Sequence, residues 1–184
     1  MRDSSDVMSD QEVCLFYRLD QSDRITAIGG AWDRMAQENG GDRLCGDSVV
    51  GRPLYDFISG DISKMFVRTV IEGVRVLQRP RTVPYRCDSP GLRRYMEMSI
   101  KCEPGGGLLL EHRQVRTEAT GRRFDFRVGR QPLRQMVVRC SHCNAVKFEG
   151  RWGEPEALLP VASTTDVPVI YGVCPNCMDL VRRI

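Results

Sequence analysis

The arrangement of apolar and polar positions predicts strands and one long helix in the first two thirds of the chain. Two short apolar runs, 13–19 and 25–28, are separated by turn residues and predict a pair of strands. A helical period then predicts an amphipathic helix that follows Asp61 as its cap and ends before Pro80, with its apolar face formed by Ile62, Met65, Phe66, Val70, Val74 and Leu77. Alternation over 92–102, between extended segments at 82–86 and 108–115, predicts three further strands.

This order of elements favours one fold class. Two strands come first, the helices are gathered in mid-chain, and three strands follow. Such strands are expected to form a largely antiparallel sheet, with the helices covering its inner face. The sequence therefore predicts an α+β domain.

The last quarter of the chain contains two Cys-x-x-Cys pairs separated by about thirty residues, a spacing typical of zinc sites. The pairs are Cys140/Cys143 and Cys174/Cys177. Four thiolates complete a tetrahedral shell and leave no position for a substrate, so we predict a structural zinc ion in a small zinc-ribbon-like module. His142 is redundant as a ligand beside four cysteines. A rubredoxin-type iron site has similar spacing but usually has glycine directly after both pairs, where this chain has Asn144 and Met178.

Composition indicates the expected cellular compartment of the protein and whether it contacts a membrane. The chain is 41% hydrophobic and 28% charged, which is ordinary for a folded protein, and its net charge of +3 decides no partner. No apolar run reaches the length of about eighteen residues that crosses a membrane. The polar N-terminus lacks the pattern of a secretory leader. We therefore expect a cytoplasmic protein with no membrane contact, whose other cysteines are small packed thiols.

The predicted elements resemble a known family. The order strand, strand, short helices, long helix and three strands is similar to that of PAS sensory domains. Residues 25–39 resemble that family's second strand and following helix, and Val50-Gly51-Arg52-Pro53-Leu54-Tyr55-Asp56-Phe57-Ile58 is similar to its next segment. Residues 86–98 also resemble a subgroup of small bacterial PAS-like proteins that carry a cysteine-paired tail. The resemblance implies a sensory domain over 11–118.

A PAS fold implies a pocket between the helices and the concave face of the sheet. Its expected lining is Trp32, Phe66, Val70, Met96, Met98, Ile100 and Leu109. These side chains either pack against one another or leave a small cavity that admits an apolar or aromatic ligand. The sequence leaves the identity of such a ligand open.

Particular cofactors and catalytic motifs do not match. The surroundings of Cys45 depart from the Asn-Cys-Arg-Phe-Leu pattern of flavin-binding relatives. The long helix has no histidine that could bind haem iron, and His112, which lies between charged residues, is expected to be exposed. The chain has no phosphate-binding loop and no nucleophile elbow, so we expect no enzymatic activity.

Together these patterns predict four segments: a disordered N-terminus (1–10), a PAS-like domain (11–118), a basic connector (119–136) and a four-cysteine module (137–184). The leading hypothesis is a non-catalytic sensor or regulator that signals through a protein partner or as a homodimer. One alternative is a nucleic-acid-binding regulator that uses the zinc ribbon and the arginines of the connector region. Its positive surface is Arg122, Arg123, Arg127 and Arg130, within an arginine-rich stretch that also contains Arg113, Arg116, Arg134 and Arg139. Another alternative is a rubredoxin-like iron protein for electron transfer.

Overall fold

The computed structural model describes residues 13–38, 41–129, 137–160 and 166–182 of the 184-residue chain. The predicted disorder of residues 1–10 therefore lies outside the described residues. Within them, the chain forms two five-stranded sheets, and no described helix is long and apolar enough to span a membrane.

The first sheet is antiparallel throughout and has the strand order β2-β1-β5-β4-β3. Its strands are β1 (Val13–Leu19), β2 (Ile25–Gly30), β3 (Arg81–Arg86), β4 (Leu92–Cys102) and β5 (Leu108–Ala119). Helices α1 (Trp32–Glu38) and α2 (Asp61–Leu77) lie between β2 and β3 in the chain, together with short 3-10 turns at 42–44, 46–48 and 54–57. The predicted α+β class with an antiparallel sheet is confirmed.

Helix α2 covers one face of this sheet. It ends where Gln78 adopts a left-handed conformation, two residues before Pro80. The side chains of Phe66, Val70 and Val74 are buried as predicted. Together with α2, the sheet encloses a core whose fully buried members include Leu19, Ile25, Ile71, Ile100, Leu108 and Leu110.

The predicted apolar face of α2 is wrong at three positions. Ile62 and Met65 are 52% and 50% exposed, and Leu77 is exposed as well. Ser63 is buried instead, because its hydroxyl lies 2.8 Å from the hydroxyl of Ser141 in the C-terminal half of the chain. The buried stripe of the helix is therefore rotated towards a contact that is distant in sequence.

The second sheet has the order β6-β10-β7-β8-β9 and is mixed. Its strands are β6 (Asp125–Val128), β7 (Val137–Cys140), β8 (Val146–Phe148), β9 (Arg151–Gly153) and β10 (Asp166–Gly172). Strand β10 runs parallel to β6 and β7, whereas β7, β8 and β9 pair antiparallel. Two short helices complete this half, α3 (Pro155–Leu158) and α4 (Pro175–Arg182).

The second sheet contains a tight hairpin and a strand that lies in the predicted connector. Strands β8 and β9 form the hairpin, because Glu149 and Gly150 both have positive φ and make a two-residue turn. Strand β6 belongs to the segment predicted as a connector, so part of that segment pairs with β10. Residues 130–136 of the segment lie outside the described residues.

The two sheets meet at the end of β3, the outermost strand of the first sheet. The backbone N–H of Arg86 donates to the carbonyl of His142 at 2.9 Å, and the Asn144 amide donates to the carbonyl of Arg86 at 3.1 Å. The Arg86 guanidinium is nearly buried and binds the carboxylates of Asp88 and Glu154. The charge-assisted hydrogen bonds to Glu154, which lies in the second half of the chain, hold the two halves against each other.

Candidate metal centre and the adjoining cavity

The structure brings the four predicted cysteines together. The Sγ atoms of Cys140, Cys143, Cys174 and Cys177 all lie within 4.8 Å of one another, and those of Cys143 and Cys174 are 3.6 Å apart. All four are free thiols. A tetrahedral ion with metal–sulfur bonds of about 2.3 Å requires sulfurs about 3.8 Å apart, so this set fits a four-coordinate ion.

The first pair lies in the turn that follows β7, which we call the metal turn (residues 140–144). The turn is closed by a hydrogen bond from the Asn144 N–H to the Cys140 carbonyl at 3.0 Å. Asn144 has a φ of 62°, a left-handed conformation in which asparagine is one of the few tolerated residues. The local sequence thus supplies one of the few residue types besides glycine that suit this position.

The second pair lies at the start of α4. Pro175 occupies the first turn of the helix, where its missing N–H costs nothing. The N–H of Cys174 donates to the Sγ of Cys140 at 3.4 Å. Helix N-termini and N–H donors favour negative charge, so this pair is placed where thiolates are stabilised.

The close approach of the four thiols shifts the pKa values of three of them. Hydrogen bonds from Cys143 and Cys177 lower the pKa of Cys140, whereas the bond to Cys140 raises the pKa of Cys143 to about 12. The pKa of Cys177 is raised for the same reason. Cys140 therefore ionises readily, whereas Cys143 and Cys177 hold their protons until a cation binds their sulfurs.

The metal centre is not isolated from the first sheet. Cys140, Cys174 and Cys177 are buried in the same hydrophobic cluster as the side chains of α2 and the inner face of that sheet. The ring of Phe66 on α2 lies 4.8 Å from the ring of His142 in the metal turn. The four-cysteine half is therefore packed against the core of the first half.

A cavity of about 450 Å³ lies beside this contact, and we call it the α2 cavity. Its walls come from α2, from the inner face of the first sheet, and from the metal turn. Four of the residues predicted to line a pocket are in its walls, namely Phe66, Val70, Met98 and Ile100.

The other three predicted lining residues lie elsewhere. Trp32 packs edge-on against Tyr17 at 5.7 Å and donates its indole N–H to the Leu44 carbonyl. Met96 is buried but does not reach the cavity. Leu109 is only partly buried, because Leu108 and Leu110 take the inward positions of the alternating strand.

Two buried histidines line the α2 cavity, and sequence reasoning missed both. The expectation that His112 is exposed is wrong, since its side chain is only 9% exposed. Its Nδ1 lies 2.7 Å from the Tyr85 hydroxyl and its ring stacks on Tyr17. Burial lowers the pKa of His112 to about 4. The sequence pattern could have predicted this burial, because His112 continues the inward alternation of Leu108 and Leu110 on β5.

His142 is 7% exposed, belongs to the metal turn and is one of the residues that line the same cavity. Burial lowers the pKa of the His142 ring. In both histidines Nε2 is buried and has no hydrogen-bond partner among the described residues. Buried polar atoms nearly always have a hydrogen-bond partner, so two unpartnered Nε2 atoms on residues that line one cavity are an exception to this rule.

The arginine-rich stretch is largely engaged in contacts within the chain. Three of its arginines form ion pairs, and one donates to main-chain carbonyls: Arg113 with Glu97, Arg116 with Glu118, Arg127 with Asp166, and Arg122 with Leu159 and Pro160. Arg130 and Arg134 lie outside the described residues. Most of the described arginines thus contribute to the fold of the chain.

Comparison with known proteins places the chain in no family. No protein-family model matches it. It is 31% identical over 107 residues to "Uncharacterized 104.1 kDa protein in hypE 3'region" of Rhodobacter capsulatus. The match covers 53% of this chain and 11% of that protein, so the chain spans a small part of its relative's length. The likeness carries no function to this chain.

Proposed function

We propose that the chain is a non-catalytic sensory or regulatory protein that binds a small molecule in a PAS-like core. The observation that carries this proposal is the α2 cavity, which lies between a helix and the inner face of a five-stranded antiparallel sheet. Cavities of a few hundred cubic ångströms lined mainly by apolar side chains are the usual form of small-molecule sites. Binding is then transmitted by association with a protein partner or with a second copy of the chain.

The sheet topology supports a PAS-like core. The two N-terminal strands and the three later strands join in the order β2-β1-β5-β4-β3, with both helices of this half inserted between β2 and β3. The order of these elements along the chain is the one on which the PAS resemblance rests. The fold alone does not identify the molecule that is sensed, so the proposal depends on the α2 cavity and on the ligand that it binds.

For the metal centre we propose a structural zinc ion. Four sulfur donors satisfy a tetrahedral ion and leave no site for substrate or water. A mononuclear iron tetrathiolate is the alternative for the same donors, and it is strongly coloured. A colourless protein that contains one equivalent of zinc supports the structural role, and a red protein that contains iron contradicts it.

The free thiols of the described cysteines favour a reducing compartment, and we propose the cytoplasm. The nucleic-acid alternative gains no support, because the described arginines of its proposed surface are mostly paired with carboxylates or carbonyls of the same chain. It predicts retention on DNA or RNA that weakens steeply with salt, which a binding assay at low salt checks.

The experiment that tests the proposed function is native mass spectrometry of the protein as purified. We expect the mass of the chain plus one zinc ion and one small molecule, and the same spectrum reports the number of subunits. Met98→Trp, which fills the α2 cavity, should release the small molecule. The matched control is Val76→Trp, because Val76 is 80% exposed on the far side of α2. Equal retention in both variants contradicts the proposal.

A further inference from the structure

The α2 cavity combines apolar walls with a few charged side chains. Phe66 on α2 and Met98 on β4 belong to its apolar walls. Apart from the two buried histidines, the charged side chains that line it are Arg86, Asp88 and Arg139. Burying a charge is costly unless an opposite charge pairs with it. The balance of these three charges therefore decides which ligand charge the cavity accepts.

Two of the three charges neutralise each other. The Nε of Arg86 donates to the two carboxylate oxygens of Asp88 at 3.2 and 3.1 Å. Glu154 also binds Arg86 and is shared with Arg93, whose guanidinium lies 3.2 Å from the Glu154 carboxylate. The carboxylates of Asp88 and Glu154 are thus already bound by arginines, and the charge of Arg139 remains.

Arg139 carries a positive charge that is not paired with a carboxylate in the described part of the chain. None of the ion pairs among the described residues includes it. Its guanidinium lies over the ring of Phe126, 4.1 Å from the ring centroid, and its buried Nε has no hydrogen-bond partner among these residues. Tyr171 also lines the cavity, but its hydroxyl is neutral. Since arginine keeps its proton in proteins, the cavity retains an uncompensated cation.

The metal centre does not take the place of this missing partner. Cys140 follows Arg139 on β7, and successive side chains of a strand point to opposite faces. Cys140 packs in the core of the first sheet, whereas Phe126, under Arg139, packs in the cluster of the second sheet. The thiolates therefore attract Arg139 across the strand without accepting its hydrogen bonds, and a ligand carboxylate can accept them.

We infer that the α2 cavity binds a small amphipathic carboxylic acid, whose carboxylate pairs with the Arg139 guanidinium and whose apolar part packs against Phe66 and Met98. The planar guanidinium matches a carboxylate in geometry as well as in charge. The cavity volume of about 450 Å³ is at the lower end of the range for small-molecule sites. This inference rests on the proposed function, since it names the class of ligand for the same cavity.

The inference is tested with probes that differ in head group, on the dialysed, zinc-loaded full chain at pH 7.5. Octanoate, octanamide and octylammonium have similar flexible alkyl chains and are negative, neutral and positive. Isothermal titration calorimetry measures their affinities. We expect octanoate to bind about tenfold tighter than octanamide, because its hydrogen bonds to arginine are charge-assisted, and octylammonium to bind most weakly.

A fourth probe tests the need for an apolar part. Acetate has the same carboxylate without the long alkyl chain, so it should bind at least about tenfold more weakly than octanoate. Equal affinities of acetate and octanoate indicate an adventitious ion only, and they overturn the inference.

Three variants assign the preference for the acid to a residue. Arg139→Gln removes the charge and keeps an amide, so octanoate and octanamide should bind about equally well. Arg139→Lys keeps the charge and should retain part of the preference. The matched control is Arg127→Gln, since Arg127 is 74% exposed and does not line the α2 cavity. Loss of the preference in Arg127→Gln alone overturns the assignment. Zinc content and melting temperature are measured for each variant, and if Arg139→Gln does not fold, Arg139→Lys and the wild-type probe series decide.

A second cavity, of about 420 Å³, also includes Arg139 in its lining, and a further variant separates the two locations. Arg127 lines the second cavity, whereas Phe66 and Met98 line only the α2 cavity. Met98→Trp should therefore weaken octanoate binding about tenfold or more, and Val76→Trp should not change it. If Arg139→Gln weakens binding and Met98→Trp does not, the acid lies in the second cavity and the inference is wrong.

Failure of this inference is distinguishable from failure of the proposed function. Equal binding of octanoate and octanamide to the wild type, or tighter binding of octylammonium, overturns the ligand class but leaves a ligand-binding cavity. Binding of none of the probes also overturns the ligand class. The proposed function is judged separately, by whether a molecule co-purifies and is displaced by Met98→Trp.

Discussion

The two sheets of the molecule are stabilised by different physical means. The first sheet and α2 share a continuous apolar core. The second sheet has a small cluster of its own, whose buried members are Val137, Val146, Leu159 and Val169. Hydrophobic stabilisation scales with the apolar area removed from water, so a cluster of this size supplies little of it. We therefore expect the second sheet to depend on the metal ion.

The difference does not make the two halves independent. Three of the four cysteines are buried against the core of the first sheet, and Arg86 joins the halves through its backbone and its guanidinium. The metal centre is thus a shared structure at the contact between the sheets. Four predictions, given in order of decreasing effect, test this comparison.

Loss of the metal should have the largest effect. Metal binding contributes on the order of 10 kcal/mol to folding in small zinc modules, so chelation or Cys177→Ser should unfold much of the second sheet. In hydrogen exchange, amides of β7 and β10 should lose protection while those of β4 and β5 retain most of it. Cys45→Ser is the control, because Cys45 lies outside the centre and its loss should leave the metal bound. Complete loss of protection in both sheets contradicts the comparison.

Truncation of a side chain in the apolar core of the first sheet should lower the stability of the protein without loss of the metal. Ile71 on α2 is fully buried, so Ile71→Ala removes apolar burial and leaves a cavity, at a cost of about 2–5 kcal/mol in the free energy of unfolding. The protein should still bind one metal ion. Val76→Ala on the exposed side of the same helix should cost about 0.5 kcal/mol or less. Denaturant titration measures both, and similar costs for the two variants contradict the assignment of the core.

Acid should destabilise the first half through His112. Its pKa is about 4 in the folded protein and about 6.5 in an unfolded chain, so the unfolded state takes up the proton first. The stabilisation is therefore fully present above pH 6.5 and is lost as the pH falls through 4, by about 3 kcal/mol in all. His112→Gln should remove this part of the pH dependence. The difference between wild type and variant is the relevant quantity, because metal release also contributes at low pH. If that difference is independent of pH, the pKa of His112 is not lowered.

The smallest effect concerns Asn144 in the metal turn. Asn144→Ala removes the hydrogen bond to the Arg86 carbonyl and places a less tolerant residue at a φ of 62°. We expect it to cost about 1–2 kcal/mol of stability, with weaker metal binding. Asn144→Gly loses the same hydrogen bond but relieves the backbone, so it should be less destabilising. If Asn144→Gly is as destabilising as Asn144→Ala, the left-handed backbone conformation at residue 144 does not contribute to the loss of stability.

Elements with a strong local pattern were predicted from the sequence. Strand β4 has the predicted bounds because its alternation is uninterrupted. Helix α2 begins at Asp61, one residue earlier than predicted with Asp61 as its cap, and ends before Pro80 as the proline indicates. The four cysteines were found because their spacing alone indicates that they converge. Local signals of this kind do not depend on which parts of the chain meet.

Features created by contacts between distant segments were not predicted. Strand β6 has four residues and exists through its parallel pairing with β10, about forty residues later, which no local pattern reveals. Ser63 is buried because it meets Ser141, and the wall of the cavity that contains His142 comes from the far end of the chain. The exposure of His112 was misjudged because its charged neighbours were weighed, although they face the opposite side of the strand.

The hydrogen bond from the Arg86 N–H to the His142 carbonyl affects the tendency of the protein to aggregate. Strand β3 is an edge strand, and unpaired edge strands are templates for pairing with other chains. The metal turn covers the end of this edge. We therefore expect the metal-free chain to aggregate through β3 more readily than the metal-loaded form, which light scattering of the two forms measures.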